Sequence, residues 1–117
     1  MHFEERTVKD VAIVAVHGDI TLNKGSDVVL KDKVRSLIEQ GRLKIVLDLT
    51  HVAYMDSAGL GELVQAYATT KKQGGSLKLL GLTKRINDLL TITKLVTVFE
   101  TFEHEDAAVA SFYPVAQ

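Results

Sequence analysis

The N-terminal segment has the pattern of two short strands. Apolar and polar residues are mixed in residues 3–8, whereas residues 11–16 are apolar throughout. Only Lys9 and Asp10 separate the two runs, and a two-residue connection of this kind favours an antiparallel hairpin. The chain is therefore predicted to begin with a β-hairpin that ends at the polar break of residues 17–19.

Beyond this hairpin, helical and strand-like patterns alternate. The consecutive aliphatic residues Ile45, Val46 and Leu47 suit a strand that is covered on both faces, as in a parallel sheet. Apolar residues at spacings of three and four predict amphipathic helices between the strands. The predicted strands are residues 43–49, 77–80 and 96–102, and the predicted helices are residues 26–40, 62–72, the segment around Ile86 and Leu90, and residues 106–112.

This order of elements predicts an α/β fold. Alternating strands and helices imply a mainly parallel sheet of four to five strands, with an N-terminal antiparallel hairpin and about four helices. A chain of 117 residues, of which 46% are apolar, fits one domain with one core. The domain is predicted to span residues 1–113, followed by a flexible C-terminal tail at residues 114–117.

Composition and charge exclude several classes of function. The net charge is −1 and basic residues form no block, so nucleic-acid binding is not expected. The absence of cysteine excludes disulfides, thiol catalysis and cysteine metal sites. The N-terminus is charged, and no apolar run approaches the roughly 20 residues that span a bilayer. A soluble, cytoplasmic domain without a membrane contact is the resulting expectation.

The most informative segment is Tyr54–Gly61, which lies between a predicted strand and a predicted helix. The N-terminus of a helix has unpaired amide groups and a partial positive charge, so it tolerates an anion. A phosphate on Ser57 would be partly neutralised there, and we interpret Ser57 as a switch. A simpler interpretation is that Asp56 or Ser57 only caps the helix. In either case Gly59 and Gly61 would let the backbone pass close to a neighbouring loop.

A second loop, residues 17–23, is expected at the same edge of the sheet. Ligands and partners of open α/β sheets meet the loops at the carboxyl ends of the strands. The two loops together therefore predict a docking surface, to which Asp19 and Asp56 would give a negative charge. The predicted partner-binding residues are Asp19, Thr21, Asn23, Asp56, Ser57, Ala58, Gly59, Leu60 and Gly61.

Common catalytic motifs are absent from the sequence. There is no Walker A motif, no G-x-S-x-G elbow, and only a lone G-x-G at residues 59–61. The histidines His2, His17, His51 and His104 form no H-x-x-x-H pair, so they are interpreted as ordinary surface or loop residues. No catalytic residue, metal ligand or cofactor is predicted.

Two acidic residues could suggest acid–base chemistry. Glu62 is expected in the first turn of a helix, where an acid stabilises the helix through its dipole. Asp48 lies near the carboxyl end of a predicted central strand, where its carboxylate could accept hydrogen bonds from loop amides. The role of Asp48 stays open at this point.

Residues 55–61, Met-Asp-Ser-Ala-Gly-Leu-Gly, resemble the phosphorylation-site motif of bacterial STAS-domain anti-sigma factor antagonists. The similarity continues in residues 18–21 and 45–49, at Gly74-Gly75, and from Leu89-Leu90 to Leu95, so it covers nearly the whole chain. Two positions depart from the family. Ala58 stands where a second serine is frequent, and Thr21 stands where an aspartate is frequent.

The resemblance implies a regulatory protein with a single STAS-like domain, and no enzyme activity. The unphosphorylated antagonist would bind an anti-sigma factor serine protein kinase and free a sigma factor. The kinase would phosphorylate Ser57, and a PP2C-type phosphatase would reverse the modification. The protein is expected to be a monomer or a weak dimer.

Two other functions remain open from the sequence. A STAS scaffold or lipid-transport accessory domain without phosphorylation would use Ser57 only as a helix cap. A small enzyme or nucleotide-binding protein is the other class, although the junction offers no base, metal or phosphate cradle.

Overall fold

The computed structural model describes residues 2–21 and 26–114, with the backbone alone described for residues 26–29. One sheet of five strands has the spatial order β1-β2-β3-β4-β5. The strands are β1 (His2–Val8), β2 (Val11–His17), β3 (Lys44–His51), β4 (Ser76–Leu80) and β5 (Thr101–Phe102). The helices are α1 (Ser26–Glu39), α2 (Ser57–Lys72), α3 (Lys84–Ile92) and α4 (Glu105–Ala110).

The predicted α/β architecture is confirmed. β1 and β2 form an antiparallel hairpin, and the pairs β2–β3, β3–β4 and β4–β5 are parallel. The turn of the hairpin places Lys9 in the left-handed region, with φ of 57°. Gly41 lies two residues after the end of α1 with φ of 80°, where a residue without a Cβ is favoured.

The two faces of the sheet carry separate apolar layers, because successive side chains of a strand point to opposite faces. Val14 and Val16 of β2 pack with residues of α1, α2 and α3 on one face. Val11 and Ile13 of the same strand pack with Ala108 and Val109 of α4 on the other face. The uninterrupted apolar sequence of β2 is explained by this cover on both sides.

The prediction of a strand over residues 96–102 is wrong for most of that segment. Lys94 has a left-handed backbone, a 3₁₀ turn follows at Leu95–Thr97, and β5 has only two residues. Phe99 is buried, and its ring lies edge-on to Tyr67 of α2, with ring centroids 5.0 Å apart. The apolar residues of this segment therefore serve helix packing, which strand-like composition alone does not distinguish from sheet pairing.

Within residues 2–21 and 26–114, no helix combines the length and the apolar character needed to cross a bilayer.

An ion-pair cluster joins the edge strand to the first helix and gives a testable pH dependence. The Lys33 ammonium donates to Glu5 at 2.5 Å, and the Arg42 guanidinium donates at 3.2 Å. The hydrogen bond from Lys33, aided by the positive charges of Lys33 and Arg42, lowers the pKa of Glu5. A lowered folded-state pKa adds stability above the usual glutamate pKa of about 4.3, and this stability is lost as the pH falls below that value.

We therefore expect Glu5→Gln to lower the free energy of unfolding at neutral pH, with a difference from wild type that shrinks as the pH falls toward 3. Urea unfolding at a series of pH values measures this difference. Glu103→Gln, at an exposed glutamate, is the control and should not reproduce the pH dependence. A constant difference between wild type and Glu5→Gln across the series would contradict the assignment.

Candidate partner-docking site

Backbone hydrogen bonds join the loop after β2 to the loop after β3. The amide of Ile20 donates to the carbonyl of Tyr54 at 3.0 Å, and the amide of Asp56 donates to the carbonyl of Ile20 at 3.2 Å. Ile20 and Met55 form an isolated parallel bridge, and both side chains are buried. The predicted meeting of the two loops at one edge of the sheet is therefore observed, with Ile20 and Met55 as its anchors.

Gly59 allows this close approach. A Cβ atom at Gly59 would lie 2.0 Å from the carbonyl oxygen of Ile20, closer than any side chain permits. A Cβ atom at Gly61 would have no neighbour within 4 Å. The expectation that a glycine lets the backbone pass a neighbouring loop is thus correct for Gly59 and wrong for Gly61.

The N-cap of α2 is Asp56, which decides between the two capping residues that the sequence allowed. Its Oδ1 accepts a hydrogen bond from the amide of Gly59 at 2.7 Å, and its backbone is extended, as is typical of an N-cap. Ser57 is the first residue of the helix and is exposed. Because the carboxylate of Asp56 caps the helix, the hydroxyl of Ser57 is not needed for that role.

A groove lies beside Ser57, between the α2 junction and α3. Its volume is about 690 Å³, and its walls combine apolar and charged side chains. Ile92 of α3 is 79% exposed and Tyr54 is 41% exposed, so two large apolar side chains face solvent in this groove. The Arg85 guanidinium lies over the Tyr54 ring at 5.6 Å. The lining residues are Tyr54, Met55, Asp56, Ser57, Lys84, Arg85, Asp88, Leu89 and Ile92.

The sequence pattern does not indicate the contribution of α3 to this groove. Its one trace in the sequence is Ile92, an apolar residue outside the buried stripe formed by Ile86 and Leu90. A single exposed apolar residue is common on protein surfaces, so Ile92 indicates a contact surface only because the structure places it beside Tyr54 in one groove. What the sequence lacked was the position of α3 next to Ser57, which depends on tertiary packing.

The other predicted docking residues lie in different environments. Asp19 is exposed, Thr21 and Ala58 are half-buried, and Asn23 lies outside the described residues. Leu60 is 7% exposed and belongs to the core, so it supports the start of α2 and offers little surface to a partner.

Asp48 has a position that explains it without catalysis, whereas the structural role expected for Glu62 is not observed. Asp48 Oδ1 accepts hydrogen bonds from the amide of Thr50 at 3.0 Å and from its hydroxyl at 2.5 Å, which answers the open question about this carboxylate. The expectation that Glu62 lies in the first turn of a helix is wrong, because α2 begins at Ser57. Its charge is therefore too far along the helix for a first-turn dipole contact.

Comparisons with known proteins show the family of this chain. The sequence pattern of the STAS domain family matches residues 2–108. The anti-sigma-B factor antagonist of Bacillus subtilis is 44% identical over 72 residues, which cover 62% of this chain and 65% of that protein, slightly under two thirds of its length. The anti-sigma-B factor antagonist of Listeria monocytogenes is 39% identical over 88 residues, covering 72% of this chain and 77% of that protein.

A solved structure agrees in fold. The Bacillus cell fate determinant SpoIIAA, in its phosphorylated form, superposes with a TM-score of 0.71 at 16% identity, covering 95% of this chain and 99% of that chain. Because the STAS family pattern matches residues 2–108, the chain belongs to the STAS domain family. Within that family, sequence similarity places it with the anti-sigma factor antagonists.

Proposed function

We propose that this protein, in its unphosphorylated form, binds an anti-sigma factor serine kinase in the cytoplasm and thereby releases a sigma factor. Phosphorylation of Ser57 blocks this binding, and a PP2C-type phosphatase restores it. The protein acts as a substrate and binding module without catalysing a reaction itself. The observation that carries the proposal is the exposed Ser57 at the first position of α2, in the wall of the groove.

The electrostatics of the site support a switch that leaves the fold unchanged. A phosphate at Ser57 adds about −1.5 to −2 charges at neutral pH. The N-terminus of α2 accommodates this charge, because its amides and dipole favour anions. A partner that fits the neutral groove would instead meet a solvated dianion beside the carboxylate of Asp56. The phosphate would also attract the cations of Lys84 and Arg85, which line the same groove.

The proposal is tested with an anti-sigma factor kinase of the same organism and ATP. Intact mass should rise by one phosphoryl group, and Ser57→Ala should show no increase. Ser36→Ala is the matched control, because Ser36 is also exposed, and it should be modified like wild type. Modification of Ser57→Ala to the wild-type extent would contradict Ser57 as the acceptor.

A further inference from the structure

Three histidines form a row across the first three strands. The rings of His2 and His17 stack with centroids 4.6 Å apart and an interplanar angle of 4°. The rings of His17 and His51 stack with centroids 4.6 Å apart and an angle of 11°. The interpretation of these residues as unrelated surface histidines is therefore incomplete, because the sheet brings them together.

Strand register explains the row. In the antiparallel hairpin His2 lies directly opposite His17. In the parallel pair β2–β3, Ala15 is opposite Asp48, and a shift of register then places His17 opposite His51. Without that irregularity the residue facing His17 would be Thr50.

A carboxylate completes the cluster. Glu4 is two residues from His2 on β1, so both side chains project from the same face of the strand. Glu4 Oε1 lies 2.6 Å from Nε2 of His17. One ligand atom from each of His2, Glu4 and His17 can be chosen so that all three lie within 4.8 Å of one another.

We propose that His2, Glu4 and His17 bind a divalent transition cation of the Zn²⁺ class. Imidazole nitrogens and a carboxylate oxygen are typical ligands of Zn²⁺, whereas Mg²⁺ and Ca²⁺ prefer oxygen ligands. Two imidazoles and one carboxylate leave a fourth tetrahedral position for water. The ring of His51 packs on His17 and helps to hold its orientation.

Metal binding requires the ring of His2 to rotate out of its stack on His17, because a cation bound by two imidazoles lies in the plane of each ring and the two stacked planes are nearly parallel. Ligand atoms of a tetrahedral Zn²⁺ site, with bonds of about 2.0–2.1 Å, are roughly 3.3 Å apart. His2 and Glu4 are exposed, so rotation of their side chains can close the remaining gap without moving the core. The cation would join β1 to the end of β2, next to the loop that contains Ile20. None of the three proposed ligands lines the groove beside Ser57, and the test of this site does not depend on the kinase.

The test is a titration of the full-length protein with ZnCl₂, followed by nitrogen-15 NMR of the histidine side chains. The His2 and His17 resonances should change together and saturate, whereas those of His104 should not change. His17→Ala should weaken the apparent Zn²⁺ affinity at least about tenfold, since disturbance of a metal shell typically costs this much or more.

Two further variants make the result decisive. Glu4→Gln replaces an exposed ligand with little effect on folding, and it should also weaken Zn²⁺ binding. His104→Ala removes the histidine outside the cluster and should leave the affinity unchanged. Equal changes at His104 and His17, or wild-type affinity in both His17→Ala and Glu4→Gln, would overturn the proposal.

Discussion

Ser57→Asp is expected to weaken binding to the anti-sigma factor kinase by about a hundredfold or more, whereas Ser57→Ala should bind like wild type. A fixed charge in a closely packed interface costs several kcal/mol, and each 1.4 kcal/mol corresponds to about a tenfold change in affinity. Isothermal titration calorimetry with the three proteins measures the difference. The alanine variant is the matched control, because it removes the hydroxyl without adding charge.

The loss of kinase affinity in Ser57→Asp should arise at the docking surface and not from unfolding. Asp56 already caps α2, so substitution of Ser57 removes no capping interaction. An acidic residue in the first turn of a helix typically stabilises it by about 0.3–1 kcal/mol. Ser57→Asp should therefore be at least as resistant to urea as wild type. Wild-type kinase affinity in Ser57→Asp would contradict the proposed switch.

Gly59→Ala is expected to destabilise the protein by about 3 kcal/mol, at the upper end of typical overpacking costs. Its Cβ atom would lie 2.0 Å from the carbonyl oxygen of Ile20. That oxygen cannot easily move, because it accepts the hydrogen bond from the amide of Asp56. The start of α2 must shift instead, which separates the two loops of the docking surface. Urea unfolding measures the stability, and kinase titration measures the loss of docking.

Gly61→Ala is the matched control two residues further along the same helix. Its Cβ atom would meet no neighbour, and alanine is favoured over glycine inside a helix by about 0.5–1 kcal/mol. This variant should therefore be slightly more stable than wild type. Equal effects of the two substitutions would show that the contact with Ile20 is not what requires glycine at position 59.

The elements that were predicted correctly are those that local sequence patterns determine. The two-residue turn after Val8 fixes the hairpin, and the continuous aliphatic run of Ile45–Leu47 indicates a strand covered on both faces. The final strand was not predicted well, because the apolar residues near Phe99 suit either a sheet or a helical turn. Only the packing of Phe99 on Tyr67 decides between these structures.

The candidate site was predicted in part for similar reasons. The strand-to-helix junction marks Ser57 in the sequence, but the α3 wall of the groove depends on how the helices pack. The pairing of His2 with His17 could have been derived. With Val8 opposite Val11, counting outward along both strands places His2 opposite His17. The position of His51 beside His17 could not have been derived from the sequence, because it depends on a register shift between β2 and β3.

The central claim is that phosphorylation of one exposed serine ends a protein–protein contact while the fold is retained. The most direct measurement compares the affinity of one anti-sigma factor kinase for the unmodified protein and for the protein phosphorylated only at Ser57. We predict tight binding of the unmodified protein, no measurable binding of the phosphorylated protein, and recovery after phosphatase treatment. Equal affinity of the kinase for both forms would contradict the claim that phosphorylation of Ser57 ends the contact.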